Sequence, residues 1–266
     1  MLSGLLATVA VFAAFPQIDL WVSGQFVAPG GGFPLSENPV VGFLRSLFNL
    51  LFGGLCGIVV TMLLLRLRVR QGLRVPVQVW WFVGAVFVLG PGLMANAVLK
   101  EYWGRARPAD IQEFGGAVQF TPPLLVTDQC QSNCSFVSGE GSAILSAVIV
   151  LVVLLWHVWP ARRRMLVAAA TVVGVTGGFL RIVTGRHFLS DTLFAGLISA
   201  LIVLVLYRLL DIRKHRRAVD MASLRHDFGE LGRYLLASDE KPNARQDVAD
   251  LWARLCELAT RLKRRS

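Results

Sequence analysis

Charge is scarce in this 266-residue chain: 17% of the residues are Asp, Glu, Lys or Arg, against 55% hydrophobic. A water-soluble domain must cover its surface with charge, so this composition and a mean hydropathy of +0.58 exclude an ordinary soluble protein. Cysteine is scarce too. Four cysteines make no disulfide scaffold, and they are scattered: Cys56 in an apolar run, Cys256 in the tail, Cys130 and Cys134 in one loop. No cluster of side chains with metal-ligand spacing is visible, so neither a metal nor a cofactor is expected. A cleavable leader is not evident either. The opening MLSGLLATVAVFAAF lacks a basic segment, and Pro16-Gln17-Ile18-Asp19 is a poor cleavage site, so this run is expected to be a membrane helix.

What the chain does have is apolar runs near the length of about 20 residues that crosses a bilayer. Six are expected: about Leu2–Phe15, Val41–Leu65, Val77–Leu99, Gly141–Trp159, Met165–Thr184 and Thr192–Leu210. Asn38-Pro39 predicts an N-cap followed by proline at the first helical position of the second run. The formal net charge of +10 lies in short blocks beside these runs rather than over one surface, so nucleic acid is not an expected partner. The blocks are Arg66, Arg68, Arg70 and Arg74; then Arg162, Arg163 and Arg164; then Arg213, Lys214, Arg216 and Arg217. The positive-inside rule makes all three cytoplasmic. Both termini then face the cytoplasm, and the connections 16–40, 100–140 and 185–191 face outward. The expected fold is all-α: a polytopic six-transmembrane-helix bundle (1–211) with a basic cytoplasmic helical tail (212–266). In the tail Ala244, Val248, Leu251, Leu255, Leu258 and Leu262 repeat in steps of four and three. This seam suits an amphipathic helix on the protein or the inner leaflet, or a short coiled coil.

Three charged clusters fall at the outward ends of the runs. They are Lys100, Arg105, Arg107 and Pro108 in KEYWGRARP; Ser138-Gly139-Glu140-Gly141; and Arg181, His187 and Asp191 in RIVTGRHFLSD. Each has an ordinary reading. Lys100 and Arg107 suit snorkelling toward headgroups, and Ser138 and Asp191 suit helix capping. Arg181, near the end of an apolar helix, is harder to dismiss. Together they compose a phosphate site: cations for the oxygens, backbone amides at a helix N-terminus, and a histidine with a carboxylate four residues on. Arg105 and Arg186 are expected to add positive potential. His157, His215 and His226 lie on the cytoplasmic side and are given no catalytic role. Cys130 and Cys134, on the outward side where bridges persist, are expected to pair. The loop 109–137 carries Phe114, Phe120, Leu124, Leu125 and Val126, which either hold a lipid or pack on the helix ends.

The pattern Lys-x6-Arg-Pro, Ser-Gly, then Arg-x5-His-x3-Asp resembles the type 2 phosphatidic acid phosphatase superfamily over about Asn38 to Ala200. Three positions depart from it: Val137 for proline, Glu140 for the second-motif histidine and Leu180 for serine. The resemblance implies catalytic His187, Asp191 and Glu140. His187 would attack phosphorus to form a phosphohistidine, and Asp191 would bond its other ring nitrogen. Lys100, Arg107, Ser138, Gly139 and Arg181 would bind the phosphate. Glu140 would stand in for the leaving-group acid, which requires a protonated carboxyl beside three cations. A metal-independent lipid phosphatase is implied, at a bacterial inner (plasma) membrane with its site facing the periplasm or outside. Its lipid phosphate substrate is undecaprenyl diphosphate, phosphatidylglycerol phosphate, phosphatidate or lipid A. A lipid phosphotransferase and a catalytically silent lipid-phosphate-binding protein remain alternatives.

Overall fold

The computed structural model describes residues 2–68 and 72–236. Among them the chain is helical, with no strand and one isolated bridge between Ile111 and Val118. The first helix, α1 (Leu2–Ala14), does not run on as a straight crossing. Pro16 has no N–H to donate and its ring blocks continuation; the chain bends by 84° there into α2 (Gln17–Gly24). At 13 residues α1 spans only about 20 Å of the roughly 30 Å apolar slab. The expected first span is therefore corrected to a bent pair, anchored where Phe12 packs on Phe194.

The 30-residue α3 (Pro39–Arg68) begins as the sequence predicts. Asn38 Oδ1 accepts from Val40 N at 2.9 Å and Val41 N at 3.3 Å, and Pro39 sits where no donor is needed. The next crossing starts as α4 (Val77–Phe87), unwinds into a π-helix over Val88–Leu99 and closes as α5 (Lys100–Tyr102). Pro91 lies inside the π segment, and Asn96 Nδ2 donates to its carbonyl at 2.6 Å. Wide winding accommodates the missing donor and re-aims the residues after it.

The centre of the bundle is α6 (Gly139–Leu155), packed on α7 (Arg163–Val183) and α8 (Leu189–Leu209). Close approach rests on small residues, as between helices in lipid. A Cβ on Gly177 would meet Ile144 at 2.5 Å, and one on Gly178 would meet Thr192 at 2.4 Å. Ser142 and Ser199 bond across the seam at 3.0 Å.

Among the described residues, four helices are long and apolar enough to cross a membrane: Pro39–Arg66, Val77–Tyr102, Pro160–Val183 and Leu189–Leu209. The bent pair makes a fifth if it is one span, and Gly139–Leu155 is a shorter apolar helix. At one end of the bundle the basic segments meet α9 (Ile212–His215) and α10 (Met221–Leu236). Asp227 accepts from Arg74 N and Val75 N at 2.8 and 2.9 Å, and His157 Nε2 bonds Val219 O at 2.9 Å. The apolar seam from Ala244 to Leu262 lies outside the described residues.

Candidate active site

The opposite end gathers the three charged clusters. His187 follows a tight turn at Gly185 (φ +65°), where a Cβ would collide with the Phe33 ring at 2.3 Å. The turn buries His187 to 2% exposure. Its Nδ1 lies 2.7 Å from the Ser135 carbonyl, which only accepts, so Nδ1 carries the proton and Nε2 keeps its lone pair. Burial, then the charges of Arg181 and Lys100, hold the imidazole well below its ordinary pKa, so the ring is neutral.

Asp191 does not bond His187 directly, contrary to expectation: its Oδ2 is 3.9 Å from Nδ1. Because α8 begins at Leu189 rather than Thr192, Asp191 lies in its first turn, and Oδ2 accepts from Phe188 N at 2.8 Å. The same oxygen accepts from Ser135 Oγ at 2.5 Å. Ser135 thus stands between the two, its carbonyl on His187 and its hydroxyl on Asp191.

Arg105 is also corrected. It does not face the site but is fully buried behind it. Its Nη1 donates to Asp191 Oδ1 at 2.6 Å and Nη2 to Asp19 Oδ2 at 2.8 Å. Nε donates to Thr121 O at 2.9 Å, and the guanidinium lies 4.2 Å from the Phe188 ring centroid. Asp19 in turn accepts from Ser190 N at 2.9 Å and Ser190 Oγ at 2.5 Å. Each of these buried charged side chains is hydrogen-bonded, the two carboxylates sharing one guanidinium.

The cations on the open side are less completed. Arg181 is buried, and its Nε and Nη1 have no hydrogen-bond partner. Nη1 is 3.1 Å from Glu140 Oε2 but not aligned for a bond. Lys100 Nζ donates to Asn133 Oδ1 at 3.2 Å, and Arg107 Nη2 to Asn133 O at 2.6 Å. Cys130 and Cys134 are disulfide-bonded across the turn that presents Asn133. Ser138 caps α6, accepting from Gly141 N at 3.1 Å. Gly139 follows it, where a Cβ would lie 2.4 Å from Asn96 Oδ1. Glu140 is held by Arg45 of α3, whose Nη2 and Nε reach it at 2.7 and 2.9 Å.

The expected site residues Lys100, Arg107, Ser138, Gly139, Glu140, Arg181, His187 and Asp191 are therefore at one end of the bundle, with Arg186 exposed beside them. Sequence reading missed Asp19, Ser135 and Arg45. Asp19 and Arg45 carried a usable signal, each a lone charge in an apolar stretch; Ser135 carried none. Among the described residues no group of three or more His, Cys, Asp or Glu side chains is placed to hold a metal. In the loop 109–137, Phe114 and Phe120 pack on Phe33 and Phe188, while Leu125 and Val126 stay exposed.

A cavity of about 720 Å³ opens beside this cluster, between α3, the π segment and α6. Lys100, Gly139 and Glu140 line its polar end, and Phe52, Cys56 and Phe87 are among its apolar walls.

Comparison with known proteins places the chain in a family. The lipid A 4'-phosphatase of Francisella tularensis subsp. novicida (strain U112) is 31% identical over 214 residues, 76% of this chain and 90% of that protein. The lipid A 4'-phosphatase of Rhizobium etli is 32% identical over 227 residues, 79% of this chain and 86% of its own length. The crystal structure of a transmembrane PAP2-type phosphatidylglycerolphosphate phosphatase from Bacillus subtilis shares the fold, with a TM-score of 0.52 at 20% identity, over 78% of this chain and 94% of that one. The PAP2 superfamily pattern, the type 2 phosphatidic acid phosphatase group, matches residues 78–214. The chain belongs to the PAP2 superfamily of membrane lipid phosphatases.

Proposed function

We propose that this protein hydrolyses the phosphate of a membrane lipid through a phosphohistidine on His187. The observation that carries the reading is a buried neutral imidazole with its Nδ1 proton committed to Ser135, beside an arginine with unbonded buried donors. His187 Nε2 attacks phosphorus while Arg181, Lys100, Arg107, the Ser138 hydroxyl and the Gly139 amide neutralise the phosphoryl oxygens. The bond from phosphorus to the lipid oxygen breaks, and that oxygen leaves with the electron pair and takes up a proton from solvent. Asp191, through Ser135, holds the ring and offsets the positive charge it gains. Water then cleaves the phosphohistidine. The side-chain cations do the work a metal does elsewhere, so the chemistry proposed is metal-independent.

The relatives' names point to the 4'-phosphate of lipid A as the substrate to test first. We propose six crossings for the segment 1–211, with the bent pair as one and Gly139–Leu155 as another. Its arginine-rich end would lie in the cytoplasm with the tail 212–266, and the site on the periplasmic face of a bacterial inner membrane. The test is phosphate release by purified protein from lipid A, undecaprenyl diphosphate, phosphatidylglycerol phosphate and phosphatidate. Release from lipid A alone supports the assignment. Release from another lipid replaces the substrate, and phosphate moving to a second lipid makes the protein a transferase.

A further inference from the structure

In the motif pattern Glu140 occupies the leaving-group acid's place, and a carboxyl gives up a proton only if it holds one. Here its oxygens lie 2.7 Å from Arg45 and 3.1 Å from Arg181, an arrangement that keeps a carboxylate ionised. The pair is not a chance surface contact. Arg45 approaches side-on, with Nη2 to Oε1 and Nε to both oxygens, the geometry that fixes a guanidinium plane. That pairing uses Nε and Nη2 and leaves the Nη1 donors outside it.

The position of Arg45 says what those donors meet. Arg45, Asn49, Phe52 and Cys56 follow one another at four, three and four residues, one face of α3. Asn49, Phe52 and Cys56 line the 720 Å³ cavity whose other wall carries Lys100 and Glu140. The arginine therefore sits at the polar mouth of an apolar cavity, 45% exposed, while Arg181 is buried beneath the carboxylate they share. Glu140 thus lies between the buried Arg181 and a cavity whose polar end also carries Lys100 and Gly139.

We propose that Arg45 is a further substrate-binding residue, which grips the polar headgroup adjoining the scissile phosphate, and that Glu140 is a positioning residue that aims it. The ligand is a lipid whose leaving-group side carries oxygens for a guanidinium to bind, such as a sugar or a second phosphate. The inference rests on the proposed phosphatase activity and deepens it.

The test compares wild type, Arg45→Gln, Glu140→Gln and the exchange Arg45→Glu with Glu140→Arg. Each is assayed on the best lipid phosphate of the panel and on p-nitrophenyl phosphate, which has no lipid headgroup. Arg45→Gln is expected to lower kcat/KM on the lipid at least tenfold more than on the aryl phosphate, mainly through KM. Glu140→Gln should show the same bias with the basic limb of its pH profile retained, and the exchange should recover part of the lost lipid KM. Equal losses on both substrates, or loss of the basic limb in Glu140→Gln, would overturn the inference. Absence of lipid turnover in wild type would instead overturn the phosphatase reading beneath it.

Discussion

Two charge clusters lie at the site end of the bundle, and they are built to opposite rules. Asp19, Arg105 and Asp191 are wholly buried, and each is hydrogen-bonded within the group. Around Glu140, Arg45 is half exposed and Arg181 keeps two buried nitrogens unbonded. A complete buried network stabilises a backbone arrangement, here the meeting of α2, the KEYWGRARP turn and the start of α8. An incomplete one leaves donors open, and in the proposed reading these take the phosphate of the substrate. The lesson is that intramembrane charge alone does not mark an active site; what separates scaffold from site is whether its hydrogen bonds are already filled.

The largest effect should come from breaking the filled cluster. Arg105→Met leaves Asp19 and Asp191 buried without a counter-charge, a cost of about 3–5 kcal/mol. The expected outcome is loss of folded protein from detergent extracts, or a thermal midpoint lower by about 10 °C. Wild-type stability in this variant would erase the contrast. Arg181→Gln should do the reverse. Its kcat/KM should fall by about 10²–10³-fold, as when a donor to a developing oxyanion is removed, while thermal stability should change little, because two of its buried nitrogens make no hydrogen bond in the fold.

A smaller effect is on pH dependence. His187 is neutral in the fold because burial and then Arg181 and Lys100 depress its pKa, so the acid limb of kcat/KM should lie well below the ordinary imidazole range. Arg181→Gln removes one depressing charge and should move that limb upward, toward about 6.5. Comparing the two proteins on one substrate cancels the substrate's own ionisation. Stability follows the same linkage. Between the folded and unfolded pKa the unfolded chain binds the extra proton, so stability is lost as pH falls below about 6.5, by up to about 1.4 kcal/mol per pH unit. His187→Asn should flatten that slope. The mildest perturbation is reduction of Cys130–Cys134. It closes only a short loop, yet the loop places Asn133 between Lys100 and Arg107. Dithiothreitol, or Cys134→Ser, should raise KM a few-fold with little change in kcat.

Much of this was legible in the sequence. The helices from Asn38 onward, the cap at Ser138 and the gathering of Lys100, Arg107, Arg181 and His187 follow from apolar runs, basic blocks and motif spacing. The bend at Pro16 was in plain view but needed length arithmetic, since 13 residues cannot cross a bilayer alone. The π segment was not legible, because no residue pattern distinguishes its winding from an α-helix. Arg105 and Arg107 look alike in GRARP, yet one is sealed behind the site and the other opens on it. Asp19, 86 residues earlier, and Asp191, 86 residues later, decide which. The Ser135 bridge was hidden for the same reason: a carbonyl and a hydroxyl gain meaning only from the partners folded against them.

The central claim is that His187 becomes phosphorylated during turnover. It is tested most directly by acid-free quenching of protein turning over lipid phosphate labelled with ³²P, followed by digestion and mapping of the label. The account predicts a phosphoramidate on the peptide containing His187, stable to alkali and lost in acid, that is absent from His187→Ala while Lys100→Ala retains a trace. Full phosphate release by His187→Ala, or label on another residue, would contradict it.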